Sequence, residues 1–361
     1  MATTSKNYDL TSRCSSYLDV HFLSSILDFL STTSLYPAST ISKQRESLNT
    51  ILCKKSQVIV KDASTLKDSL KYAKDLYENG EYRPSQVVLE KVLETHGLPV
   101  SGAFGKLATE IQLQEWEKAV QSMYLVDECI EKNETNSALT QLQQRTWLLH
   151  WSLLILKNDP TAHEKIVDFM MTPRCLETMQ TNAPWLLRYV TIGVMSHTRR
   201  ISMMPEVVEM VEMEKEVYSD PILAYVDVLS TSFDFDCAVS LLKDVEVVIQ
   251  QDYFLQGTVG VSFMEAARIL LLETYVRINQ QVKISTMAVK LGMEEKATAM
   301  WIQMMKAKEM MDEKITVKDN MIVMKNTTNT AYQQVMEKTK ELDERTASME
   351  AQLERILQES N

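Results

Sequence analysis

The chain has 361 residues and a formal net charge of −11, long enough for a sizeable core in more than one packed unit. That acidity argues against sequence-independent binding of phosphate backbones. Eight glycines, eight prolines and 22 methionines describe a mostly helical chain with few sharp reversals.

The five cysteines are scattered and form no C-x-x-C pair, so neither a zinc site nor a disulfide framework is suggested, and reduced intracellular thiols are expected. No apolar run approaches the roughly 20 residues that a membrane span needs. The first apolar stretch, YLDVHFLSSILDFL, carries Asp19, His21 and Asp28, which a signal peptide would not tolerate. The expectation is a soluble protein of the cytosol or nucleus with no membrane partner.

Leu18, Phe22, Leu23, Ile26, Leu27 and Leu30 fall at helical spacing and predict an amphipathic opening helix. Residues 31–62 are rich in Ser and Thr and predict a loop with one further helix. From about residue 64 the helices come in pairs. Three segments superpose: YRPSQVVL (82–89), WEKAVQSM (116–123) and FDCAVSLL (235–242). Each has an aromatic residue, a small residue three places on and an apolar residue four beyond that.

Tyr82 and Trp116 are 34 positions apart, the period of tetratricopeptide-type helical hairpins. An aromatic at the turn fills the gap between two antiparallel helices, and Ser85, Ala119 or Ala238 lets the next pair approach closely. LQQRTWLLHWSLLIL (142–156) is apolar nearly all round and predicts a helix deep in the stack, with His150 as a buried neutral imidazole and not a metal ligand. Further helices are predicted near 162–171, 183–196, 203–218, 221–231 and 262–279.

The pattern then changes. VKI (282–284) reads as a strand, two helices break at Gly292, and KITVKDNMIVMK (314–325) reads as a hairpin turning at Asp319–Asn320. Pairing Lys318 with Met321 puts Ile315, Val317, Ile322 and Met324 on one face. Together these make a winged helix. After a Thr/Asn linker, Tyr332, Val335, Thr339, Leu342, Thr346, Met349, Leu353 and Ile356 form a heptad stripe.

The fold class is therefore mainly α: a TPR-like solenoid of stacked antiparallel hairpins, a winged helix, and a C-terminal bundle helix. The expected domains are helical repeats over 1–141, a unit over 142–326 (helical part 142–280, winged helix 281–326) and a terminal helix over 327–361.

This order of parts resembles the PCI domain family, scaffold subunits of the proteasome lid, the COP9 signalosome and a translation initiation factor. The segments YDLTSRCSSYLDVHFLSSILDFLS (8–31), GKLATEIQLQEWEKA (105–119), LQQRTWLLHWSLL (142–154), SFDFDCA (232–238) and AYQQVMEKTK (331–340) are similar, in the same order, to the initiation factor 3 branch of that family. The stretch between residues 31 and 65 is shorter than the family usually carries, and the chain stops soon after the bundle helix.

The resemblance implies a non-catalytic subunit of a large cytoplasmic complex. Its partners would be the small ribosomal subunit and the sister c, l and d subunits, with d held by the N-terminal part. It would support preinitiation-complex assembly and mRNA recruitment. The alternative is a scaffold subunit of the lid or the signalosome.

The residues themselves carry no active-site pattern. GAFG (102–105) lacks the lysine of a phosphate loop, and HEKIV at 163 lacks the second histidine of a zinc protease, so no catalytic, cofactor or metal residue is expected. Over 283–325, eight lysines stand against six acids with no arginine. The second helix offers Met300, Trp301, Met304 and Met305 where Arg or Asn would read bases, so sequence-specific DNA binding is not expected. The expected contacts are protein contacts: the winged-helix edge through Val282, Ile284, Thr316 and Val317, and the bundle helix through Leu342, Met349, Leu353 and Ile356. SHTRRIS (196–202) is the one compact basic loop, and Arg199 and Arg200 are its candidate RNA contacts.

Overall fold

A computed structural model describes residues 8–33, 35–52, 66–96, 99–133, 137–196, 203–308, 310–311, 315–318, 321–324 and most of 335–350. Its contacts fall into two compact units, Met1–Thr274 and Tyr275–Asn361.

The first unit opens with a short turn of helix, α1 (Thr11–Cys14), and then α2 (Val20–Thr33). Four of the six predicted stripe residues hold: Phe22, Ile26, Leu27 and Leu30 are the buried residues of α2, whereas Leu23 is only half-buried and Leu18 precedes the helix in extended backbone. α3 (Ala38–Leu52) pairs with α2. α4 (Leu66–Glu78) and α5 (Tyr82–His96) make the next hairpin, and α6 (Val100–Gln112) and α7 (Trp116–Lys132) the one after. α5 packs on α6, and α7 on α8 (Ala138–Asn158), so each pair covers a face that the previous pair cannot bury alone. α9 (His163–Met170), α10 (Pro173–Asn182), α11 (Leu187–Ser196) and α12 (Met204–Glu214) follow. α13 (Pro221–Asp227), α14 (Phe235–Gln251) and the long α15 (Thr258–Asn279) complete the series.

The three superposable segments share one geometry. Tyr82, Trp116 and Phe235 are each the first residue of a helix, α5, α7 and α14. The small residues behind them are sealed, with Ser85 at 1% exposure and Ala119 and Ala238 at 0%. Two positions before each aromatic the backbone is left-handed: Gly80 (φ +82°), Gln114 (φ +61°) and Phe233 (φ +53°). In the first two turns the next residue closes the preceding helix in the same way. Glu81 N donates to Leu76 O at 2.9 Å, and Glu115 N donates to Glu110 O at 3.0 Å. Glycine takes this conformation freely; a glutamine or phenylalanine there costs about 1–3 kcal/mol, offset by the packing of the hairpin it closes.

Two elements differ from the sequence reading. α10 falls in a stretch where no helix is predicted. Thr172 and Pro173 supply a normal start, but only Cys175, Thr178 and Met179 are buried, too few to show as a stripe. Trp147, expected deep in the stack, is 45% exposed, while Leu148, Leu149, Leu153 and Ile155 on the same helix are fully buried.

In the second unit, β1 (Gln281–Lys283), α16 (Ile284–Leu291), α17 (Glu295–Ala307), β2 (Ile315–Lys318) and β3 (Met321–Met324) follow in chain order. Gly292 ends α16 at φ +67°, the break expected between the two helices. The sheet is antiparallel in the order β1-β3-β2, with Lys318 opposite Met321 and Val317 opposite Ile322. Ile284, Met287, Ile302, Met305, Ile315 and Ile322 are buried and make its core. The expected turn at Asp319–Asn320 lies outside the described residues.

Candidate interaction site

β1 and β2 are the outer strands of the sheet, and the ladder shows which of their peptide groups face outward. The two-residue connection makes Lys318 and Met321 a hydrogen-bonded pair, so the next pair, Val317 and Ile322, is of the non-bonded kind. The N–H and C=O of Val317 therefore point away from β3. By the same alternation Val282 turns its peptide groups toward Ile322 and Gln281 presents its own outward, while Lys283, the N-cap of α16, gives its carbonyl to the first turn of that helix. Val282 and Ile284 have their side chains buried, and Ile284 is the first residue of α16, not part of the strand. Thr316 Oγ1 donates to Val323 O across the ladder at 3.3 Å. One part of the β2 edge is already occupied, because Lys306 Nζ donates to Ile315 O at 2.9 Å.

The outer face of α17 is apolar where a nucleic-acid reader would be polar. Met300 is 70% exposed and Met304 46% exposed, one helical turn apart. Within the terminal segment, Leu342 and Met349 are both 57% exposed, so the stripe side chains described there are uncovered. The two central threonines of that stripe bond their own helix: Thr339 Oγ1 donates to Val335 O and Thr346 Oγ1 to Leu342 O. Leu353, Ile356, Arg199 and Arg200 lie outside the described residues.

The larger polar feature of the first unit is one that sequence reasoning missed. Arg188 of α11 is buried and fully engaged. Its Nε and Nη2 donate to the two Asp220 oxygens at 3.1 and 2.6 Å. Its Nη1 donates to Asp252 Oδ2 at 2.7 Å and to the carbonyl oxygen of Tyr8 at 3.0 Å. Tyr189 O–H also donates to Asp252 Oδ2, at 2.9 Å. Burial pushes the Asp252 carboxyl up, and Arg188 and the N–H of Phe254 draw it back down.

The cluster fixes the N-terminal segment against helices far along the chain. Trp151 Nε1 donates to Tyr17 O, Tyr253 O–H to Ser25 Oγ, and Tyr77 O–H to Asp19 Oδ2. Residues 8–33 are thus a clasp laid across the solenoid and not merely its first repeat.

His150 is buried as expected. Its Nδ1 lies 2.7 Å from Thr146 O and its Nε2 accepts the indole N–H of Trp185 at 3.1 Å, which fixes a neutral ring protonated on Nδ1. Tyr17 stacks on it at 4.4 Å. Burial lowers its pKa from 6.5 to about 4. No group of three His, Cys, Asp or Glu side chains among the described residues is arranged to hold a metal ion. No helix among them is long and apolar enough to cross a membrane.

No family model matches the chain. Curated proteins do. The chain is 34% identical over 280 residues to the E subunit of eukaryotic translation initiation factor 3 from Aspergillus fumigatus, covering 74% of this chain and 62% of that one. It is a homologue of the E subunits of initiation factor 3. The E subunit of Neosartorya fischeri gives 34% over 280 residues, 74% of this chain and 61% of that one. That of Botryotinia fuckeliana gives 34% over 274 residues, 73% and 60%. The chain spans about three fifths of the length of these relatives.

Proposed function

We propose that the chain is a non-catalytic scaffold subunit of eukaryotic translation initiation factor 3. In this reading it works in the cytoplasm, supports binding of the complex to the small ribosomal subunit, and contributes to preinitiation-complex assembly and mRNA recruitment. The observation that carries it is the 34% identity, over about three quarters of this chain, to relatives named as E subunits of that factor. The architecture supports it: a helical solenoid ends in a winged helix whose exposed α17 face carries Met300 and Met304 in place of base-reading side chains.

The sister c and l subunits are the proposed neighbours of the winged helix, and the d subunit is the proposed ligand of the N-terminal part. The outward peptide groups of Val317 and Gln281 would receive a neighbour's strand, with Thr316 beside them and Val282 and Ile284 holding the strand from beneath. Leu342, Met349, Leu353 and Ile356 would be covered by helices of other subunits. Arg199 and Arg200 would touch RNA. The domain division carried with this reading is 1–141, 142–326 and 327–361. Affinity isolation of the tagged chain under mild salt, followed by mass spectrometry, tests the reading. Sister initiation-factor subunits are expected; recovery of proteasome-lid or signalosome subunits in their place would overturn it.

A further inference from the structure

α10 and α12 leave between them an open groove of about 330 Å³ in the first unit. Its apolar lining comes from Pro173 and Leu176 on one wall and Met210 and Met213 on the other. Its rim is acidic, with Glu177 on the α10 side and Glu206 and Glu209 on the α12 side. We propose that this groove docks a basic amphipathic helix of a partner protein.

The first support is hydrophobic. α12 buries Val207, Met210 and Val211 on its inner face, which suffices to hold it in the fold. Met213 nevertheless stands 66% exposed at the groove, and Val217, one turn further on, is 72% exposed. Large apolar side chains clustered in water beside a concave surface mark a contact site, and methionine adapts its shape to the side chain it receives.

Charge decides the occupant. From residue 203 to 218, Glu206, Glu209, Glu212, Glu214 and Glu216 face one cation, Lys215, a balance of five minus one. Lys215 is committed to Asp227 at 2.5 Å. Arg174, the one cation on α10, pairs with Glu131 of α7. No Lys or Arg among the described residues lines the groove. Carboxylates on both walls around an apolar floor complement a helix with aliphatic side chains at i, i+3 or i+4 and i+7, flanked by Lys or Arg. The same walls repel a nucleic-acid backbone and an anionic membrane surface, so the partner is a protein.

The test uses the full chain and a fluorescein-labelled model peptide of Leu and Lys patterned as an amphipathic helix, read by fluorescence anisotropy. A second peptide with Glu in place of every Lys is the charge control. The wild type is expected to bind the basic peptide and not the acidic one. Glu206→Lys with Glu209→Lys should weaken binding by about ten-fold or more. Met213→Ser should weaken it several-fold without changing its salt dependence. Glu94→Lys with Glu246→Lys, exposed positions on other helices, changes net charge equally and should leave binding intact. All these positions are exposed, and circular dichroism checks that each variant folds. The proposal fails if the wild type does not bind, if the groove variants bind as the wild type does, or if the distant pair loses as much as the groove pair. It also fails if sedimentation shows a second copy of the chain filling the groove.

Discussion

Arg188 Nη1 donates to the carbonyl oxygen of Tyr8 at 3.0 Å, across 180 positions of sequence. The same guanidinium grips Asp220 and Asp252, which stand just ahead of α13 and just after α14. One buried cation therefore sets the relative position of three chain segments. Replacing it with methionine would leave two buried carboxylates without their counter-charge. Arg188→Met is expected to destabilise the first unit by about 3–5 kcal/mol, measured by urea unfolding. A loss under about 1 kcal/mol would mean that the cluster is not what holds the clasp.

His150 makes stability depend on pH. Its folded pKa, about 4, lies below the ordinary 6.5, so the unfolded chain binds the proton more readily. The stabilisation is complete above pH 6.5 and is lost as pH falls toward 4, by at most about 3 kcal/mol. Unfolding midpoints measured across that window should slope downward with acid, and His150→Gln should flatten the slope. An unchanged slope in the variant would assign the acid sensitivity elsewhere.

The hairpin triads were legible in the sequence because each pairs a bulky residue with a small one at a fixed step. Their turns were less so. Gly80 announces a left-handed residue, but Gln114 and Phe233 adopt the same conformation without a glycine to mark it. The Arg188 cluster was invisible because its partners lie 32, 64 and 180 residues away, and no local spacing encodes such a meeting. The Lys318–Met321 register followed from the β-rich runs and the two-residue turn between them. What that pattern left open is which peptide groups face out, since this depends on the alternation of the whole ladder.

That alternation separates two neighbouring substitutions on β2. Val317→Pro removes an outward N–H and leaves the β2–β3 bonds in place, so it should release a neighbouring chain while the isolated protein stays folded. Thr316→Pro removes a ladder donor and should disturb the hairpin itself. Circular dichroism and subunit recovery after affinity isolation read the two effects. Full recovery of every neighbour with Val317→Pro would rule out pairing at this edge.

Leu342 and Met349 are more than half exposed, and in the proposed reading helices of other subunits cover them. Changing both to Asp should leave the thermal midpoint of the isolated protein within about 1 °C, because little folded-state packing is lost. It should at the same time weaken assembly, each side chain contributing about 1.5–3 kcal/mol when enclosed. A drop in the midpoint with unchanged assembly would make the helix a local brace.

Membership of an initiation complex is best read by sedimenting the tagged chain from a cytoplasmic extract through a low-salt sucrose gradient, with immunoblotting of every fraction. The chain should migrate with small ribosomal subunits together with other initiation-factor subunits. It should leave those fractions when Val317→Pro is combined with the Leu342 and Met349 changes. Migration of the wild-type chain only in light fractions, or with proteasome-lid or signalosome particles free of ribosomal protein, would contradict a role in initiation.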